Sequence, residues 1–154
     1  MEIILAENHG FCYGVKRAVE MADEAANSEG KSYTLGPIIH NPQVVGRLEN
    51  KGVSPIQEVA DIDEGTMIIR SHGVGPAIYA EAEEKGLHIL DATCPHVKKA
   101  QQDAKSVIED GMTLVILGEK NHPEVKSINL WANNKGIIIE DEKSAEKLQI
   151  VEKM

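Results

Sequence analysis

Cys12 and Cys94 are the only thiols in this chain. Cys12 lies in Asn8-His9-Gly10-Phe11-Cys12-Tyr13-Gly14-Val15, and Cys94 in Asp91-Ala92-Thr93-Cys94-Pro95. Each follows a short apolar run that reads as a buried strand, Ile3-Ile4-Leu5-Ala6 for the first and Leu87-His88-Ile89-Leu90 for the second. Each also precedes a polar segment of helical period. A thiol at such a junction meets unpaired backbone N–H groups and the positive end of a helix dipole, which favour the thiolate. Thiolates are what soft metals and iron–sulfur clusters bind. The bland alternative is an inert small hydrophobe, above all for Cys94 before Pro95; inert core cysteines, however, more often fall inside a strand or a helix.

Three of the six histidines occupy junctions of the same kind: His40, His72, and His122 with Glu124. Five successive strand-to-helix turns are thus expected to carry Cys12, His40, His72, Cys94 and the His122–Glu124 pair. In open α/β sheets, ligands bind at these turns, beyond the carboxyl ends of the strands. Taken singly, each has an ordinary explanation. A histidine before a helix caps it or faces solvent, Ser71-His72-Gly73-Val74-Gly75 is a weak phosphate-loop signal, and His122-Pro123-Glu124 suits a plain helix start. Independent explanations would scatter these residues, whereas here they share one predicted edge. His88 is expected inside a strand, His96 in a solvated first turn, and His9 near Cys12 without a clear partner.

The elements that must position these residues alternate between strand-like and helix-like stretches, which implies α/β with a largely parallel sheet. Helices are expected from Val15 to near Asn27, from Pro42 (capped by Asn41) to about Glu49, after Gly75-Pro76 through Glu84, from Pro95 to about Glu109, from Pro123 to about Ala132, and over Glu142–Leu148. Strands are expected at Ser32–Leu35, Gly52–Ile56, Thr66–Arg70, Leu87–Leu90, Gly136–Ile139 and, cleanly buried, Met112–Leu117. Ile150-Val151 reads as the opening of one more. The spacing suggests a first α/β domain over 1–95 and a second over 96–154, the latter short of a strand. An open edge there is a template for pairing, so a homodimer or an exchanged terminal element is expected.

The totals narrow the function. At 154 residues the chain can bury a real core, and with one Trp and one Phe its packing must be mostly aliphatic. A net charge of −9 argues against nucleic acid, although local helix ends and histidines still permit an anionic ligand. Two distant cysteines make no secreted disulfide framework. There is no signal-peptide pattern and no apolar run of the about 18 residues a membrane span needs. The chain reads as cytoplasmic.

Five motifs, Gly10–Val15 (GFCYGV), Leu35–Val45 (LGPIIHNPQVV), Ser71–Val74 (SHGV), Asp91–Pro95 (DATCP) and His122–Val125 (HPEV), resemble in order and spacing the 4-hydroxy-3-methylbut-2-enyl diphosphate reductases. These are iron–sulfur oxidoreductases of the last step of non-mevalonate isoprenoid biosynthesis. Their chains are roughly twice this length, so this sequence is similar to their amino-terminal half. The resemblance implies repeated small α/β domains in a three-domain, trefoil-like arrangement, the third domain being absent here. It implies a 4Fe-4S cluster on three cysteines, two of them matched by Cys12 and Cys94 and the third without a counterpart. It implies His40, His72 and His122 as diphosphate-binding residues, Glu124 and His122 in proton delivery, and reduced ferredoxin or flavodoxin as electron donor. A Ser-x-Asn motif and a threonine that complete the family's pocket have no match here, so the 154 residues alone are expected to be inactive.

The chemistry of the residues agrees with those roles. Imidazolium groups beside helix N-termini neutralise a diphosphate, and a carboxyl near an anionic ligand is biased toward its acid form. Two other readings stay open: a non-catalytic zinc- or anion-binding module using Cys12, Cys94 and a nearby histidine, and a thiol redox protein pairing Cys12 with Cys94, which needs Cα atoms within about 7 Å.

Overall fold

The computed structural model describes residues 2–7, 9–28 and 30–148. The expected strand at Ile150-Val151 lies outside them. The described chain is α/β. Its elements are α1 (Tyr13–Ala26), β1 (Ser32–Leu35), α2 (Pro42–Glu49), β2 (Val53–Ile56), a 3-10 turn (Val59–Asp61), β3 (Thr66–Ile69), α3 (Pro76–Glu84), β4 (His88–Asp91), α4 (Pro95–Glu109), β5 (Val115–Leu117), α5 (Pro123–Trp131), β6 (Ile137–Ile139) and α6 (Glu142–Glu146).

A four-stranded parallel sheet runs in the order β2-β1-β3-β4, and β5 and β6 form a separate parallel pair. Alternation along the strands feeds two cores. Ile68 packs with Ala18, Val19, Ala22, Ile38 and Leu48, on the side of α1 and α2. Its neighbours Met67 and Ile69 pack with Leu35, Val59, Ile62 and Ala82, on the side of α3. Ala18 and Ala22 are fully buried, so α1 sits close on the sheet through small side chains. As expected from the scarcity of aromatics, both buried clusters consist of aliphatic residues and Met67.

Topology marks where a ligand belongs. From β1 the chain moves to β2 on one side, and from β3 it moves to β4 on the other. The β1/β3 gap is therefore the switch point, where a crevice opens beyond the carboxyl ends of the strands. Proline stands at the start of α2, α3, α4 and α5, at Pro42, Pro76, Pro95 and Pro123. Its fixed φ sets the first helical turn, and the missing N–H would have been unsatisfied anyway.

Two expectations fail. Ile3–Ala6 forms no strand: Ile3, Ile4 and Leu5 are 74%, 83% and 75% exposed. A strand needs a partner, and this run pairs with none of the described strands. Cys12 therefore follows an extended segment, and four strand-to-helix turns carry site residues where five were expected. Nor is Met112–Leu117 a clean buried strand. The Met112 amide closes back on the Val107 carbonyl at 3.0 Å, so β5 starts only at Val115, and Leu117 is 77% exposed. With β6 as its one neighbour, β5 has a single covered face. His88, expected inside a strand, is the exposed first residue of β4.

Candidate functional site

His40, His72 and His122 come from three different turns and meet. Ring centroids are 4.8 Å apart for His40 and His72, 5.7 Å for His72 and His122, and 6.5 Å for His40 and His122. One nitrogen from each lies within 4.8 Å of the other two. His40 follows β1 and His72 follows β3, so the two strands of the switch point deliver the first pair.

Each turn is anchored by its neighbours. Ile38 and Ile39, almost fully buried, plug the His40 turn into the core. The His72 loop is held from α5: Ser127 Oγ lies 2.7 Å from the His72 carbonyl, to which it donates, and Trp131 Nε1 donates to the Val74 carbonyl at 2.9 Å. Gln101 of α4, itself buried, donates to Ser127 Oγ at 3.2 Å. Gly73, at φ +70, leaves room for the Gln101 amide, and a methyl there would meet the Thr93 methyl at 3.0 Å.

His122 is the N-cap of α5, and its Nδ1 accepts the Glu124 backbone N–H at 3.2 Å. An imidazole accepting at Nδ1 carries its neutral-state proton at Nε2, so His122 is set as a donor on its free side. His72 is kept uncharged. Burial, then the charges of Arg70, His40 and His122, lower its pKa to about 4. Its Nδ1 is buried with no hydrogen-bond partner among the described residues. Three clustered imidazoles, each able to offer an N–H donor, are a seat for negative charge.

The sulfur corner is built differently. Cys12 is the N-cap of the 14-residue α1 and Cys94 of the 15-residue α4, and neither side chain makes a capping bond. Both thiols are free, with Cys12 exposed and Cys94 half-buried. The first turn of α1 rests directly on the second thiol: a methyl at Gly14 would lie 2.5 Å from Cys94 Sγ. One turn on, Arg17 donates to the Thr93 carbonyl at 3.3 Å, bringing a cation beside the Cys94 turn. Asp91 Oδ1 accepts the Thr93 N–H at 2.9 Å and sets the turn itself. The Cys94 amide donates to the Ser71 carbonyl at 2.9 Å. Cys94 and His72 thus hang from adjacent strands, one residue removed from a shared hydrogen bond.

Two thiolates at helix N-termini suit two corners of an iron–sulfur cluster, whose remaining irons need other donors. Among the described residues, the grouping of three ligand-type side chains in mutual reach is the imidazole trio, without either thiol. Cys12, Cys94 and a histidine are therefore not gathered as a zinc site. The trio itself is loose for zinc: bonds of 2.0–2.1 Å would bring the nitrogens to about 3.3 Å of one another, and capping occupies His122 Nδ1.

Glu124 stands in the first turn of α5, half-buried, its backbone committed to His122 and Ser127. His9 turns to the Ala6 carbonyl at 2.8 Å, and His96 is exposed in the first turn of α4. Sequence reasoning did not single out Gly14, Ser127, Gln101 or Arg70. The signals were small: a glycine in the first turn of a helix, and two polar residues on otherwise apolar helix faces.

Comparison with known proteins follows this geometry. The family described as LytB protein matches residues 3–154. The 4-hydroxy-3-methylbut-2-enyl diphosphate reductase of Geobacter metallireducens is 49% identical over 154 residues, 100% of this chain and 55% of the relative. That of Geotalea daltonii is 51% identical over 148 residues, 96% of this chain and 52% of the relative. The chain thus spans about half the length of the curated relatives it matches. A solved (E)-4-hydroxy-3-methyl-but-2-enyl diphosphate reductase, described as the terminal enzyme of the non-mevalonate pathway, superposes with a TM-score of 0.80 at 49% identity, over 92% of this chain and 52% of that one. The structure of the corresponding Plasmodium falciparum reductase gives 0.89 at 31% identity, over 94% and 46%.

Proposed function

This chain belongs to the LytB protein family, and from that premise we propose that it contributes half of the active site of a reductase acting on (E)-4-hydroxy-3-methylbut-2-enyl diphosphate. In the proposed reaction two electrons and two protons break the allylic C–O bond. The oxygen leaves as water, and isopentenyl and dimethylallyl diphosphates form. The observation that supports this reading best is the convergence of His40, His72 and His122 at the switch point.

His40, His72 and His122 hold the diphosphate in this reading, His122 donating from Nε2 while its Nδ1 stays on the helix. Cys12 and Cys94 hold two corners of a 4Fe-4S cluster. When bound, the cluster supplies electrons and a Lewis-acidic iron at the hydroxyl. Glu124, in the turn that carries His122, holds the proton delivered to the reacting end, and His122 supports that relay. Reduced ferredoxin or flavodoxin is the proposed electron source. The domain division at residue 95 is part of the same proposal, with α4 opening the second unit of a three-domain arrangement. Among the described residues no helix is long and apolar enough to cross a membrane; a cytoplasmic location belongs to the proposal.

Isothermal titration of isopentenyl diphosphate into the purified chain tests the binding half of this reading. His72→Ala should weaken binding by about tenfold or more, the loss expected for a hydrogen bond to a charged group. Equal affinity in wild type and His72→Ala would overturn it.

A further inference from the structure

Arg70, the residue after β3, carries a charge that nothing in the described chain answers. Its Nε is buried without a hydrogen-bond partner. It takes part in none of the ion pairs among the described residues, and neither does Lys126. Gly36, at φ +70, makes room for the guanidinium, since a methyl there would lie 2.9 Å from Nη1. Both cations line one cavity of about 330 Å³, together with Gln57, Asn121 and the backbone of Gly36 and Gly73. Among the described residues no acidic side chain lines it, in a chain with 25 acidic residues against 16 Lys and Arg. Arg70 is half-buried, and a guanidinium held with one nitrogen buried and no counter-charge is costly.

We propose that this cavity is a binding site for a phosphate-class dianion, separate from the imidazole cluster. Two unpaired cations on one wall, the half-buried Arg70 and the exposed Lys126, favour a doubly charged anion over a single carboxylate. The guanidinium fork, the Lys126 ammonium and the Asn121 amide are all donors in the cavity lining, which suits the several oxygens of a phosphoryl group. Gly73 and Pro123, chain neighbours of His72 and His122, stand in the cavity wall, but none of the three imidazoles does. The site therefore lies behind the loops that present the histidines and does not depend on the reductase reading.

Titration of the 154-residue chain with inorganic phosphate at low ionic strength, followed by backbone amide NMR, tests this. Saturable millimolar shifts are expected at Gly36, Gly73 and Lys126. Arg70→Gln and Lys126→Gln should each weaken them by about tenfold or more. Arg70→Lys should fall between, because it keeps the charge and loses the fork. His40→Ala should leave them in place, which separates this site from the imidazoles. If Arg70→Gln fails to fold, the exposed Lys126→Gln decides. Shifts that do not saturate, that persist in Lys126→Gln, that vanish in His40→Ala, or that acetate produces as tightly as phosphate would overturn the proposal.

Discussion

The imidazole corner and the sulfur corner sit at the same edge of the sheet but differ in how far they are assembled. Each histidine's turn in the first is held by packing or capping: Ile38 and Ile39 bury the chain before the exposed His40, Ser127 and Trp131 hold the His72 loop, and His122 caps α5. The second has one well-held member, Cys94, fastened by Ser71, Asp91 and Gly14. Its other member, Cys12, is exposed and follows an exposed, unpaired apolar run. The described residues hold the first corner on several sides, whereas the second has one held member and one exposed one. In the reductase reading, binding and redox chemistry therefore separate along this line, with anion capture built into these residues and electron transfer dependent on further donors.

The contrast breaks most decisively on turnover. Anaerobic treatment with iron and sulfide followed by a reductant-coupled assay should give little or no product from the 154 residues; multiple turnovers would show that the sulfur corner is complete. In the same preparation, Cys94→Ala should lose all retained iron, while His72→Ala should retain as much as wild type. Iron retained equally by both would erase the distinction between the corners.

A smaller effect is expected at Gly14. Alanine there drives a methyl into Cys94 Sγ, and overpacking of this kind costs about 1–3 kcal/mol. Thermal unfolding of Gly14→Ala measures it, and an unchanged midpoint would mean that α1 does not rest on the thiol.

The imidazole corner also has a pH signature. The folded-state pKa of His72 lies near 4, below its ordinary 6.5. Between those values the unfolded chain binds the proton and the folded chain does not, so folding stability should fall as pH drops from 6.5 toward 4. Asp91 contributes in a lower window. Burial pushes its carboxyl up, but hydrogen bonds from Lys98 and Thr93 and the Lys98 charge outweigh this and hold it below the usual carboxylate value. Its contribution is present above that value and lost as pH falls through its folded pKa. Denaturant midpoints across pH should show the upper slope in wild type and not in His72→Gln.

The smallest expected change is Ser127→Ala. It removes the hydroxyl that bridges Gln101 and the His72 carbonyl and should cost about 1 kcal/mol in chemical denaturation.

Much of this was legible because local rules and tertiary structure agree. Asn41-Pro42, Cys94-Pro95 and His122-Pro123 each place a capping residue before a proline that opens a helix, so turns carrying site residues announced themselves. The α/β class followed from the alternation of segments. What failed was burial inferred from apolarity alone. Ile3–Leu5 are as hydrophobic as the core strands but pair with no described strand, and Leu117, though paired with Ile139, stands 77% exposed; neither partner nor covering layer is written in the run itself. Arg70 was invisible for the opposite reason. A lone arginine after a strand is ordinary, and only the missing counter-charge around it makes it informative.

The account rests on three imidazoles acting as one seat for a diphosphate. Side-chain nitrogen NMR of the histidines during titration with inorganic pyrophosphate tests that most directly. His40, His72 and His122 should shift together along a single binding isotherm, with His122 keeping its proton at Nε2, while His9, His88 and His96 stay still. Independent isotherms for the three, or shifts confined to His9, His88 and His96, would contradict it.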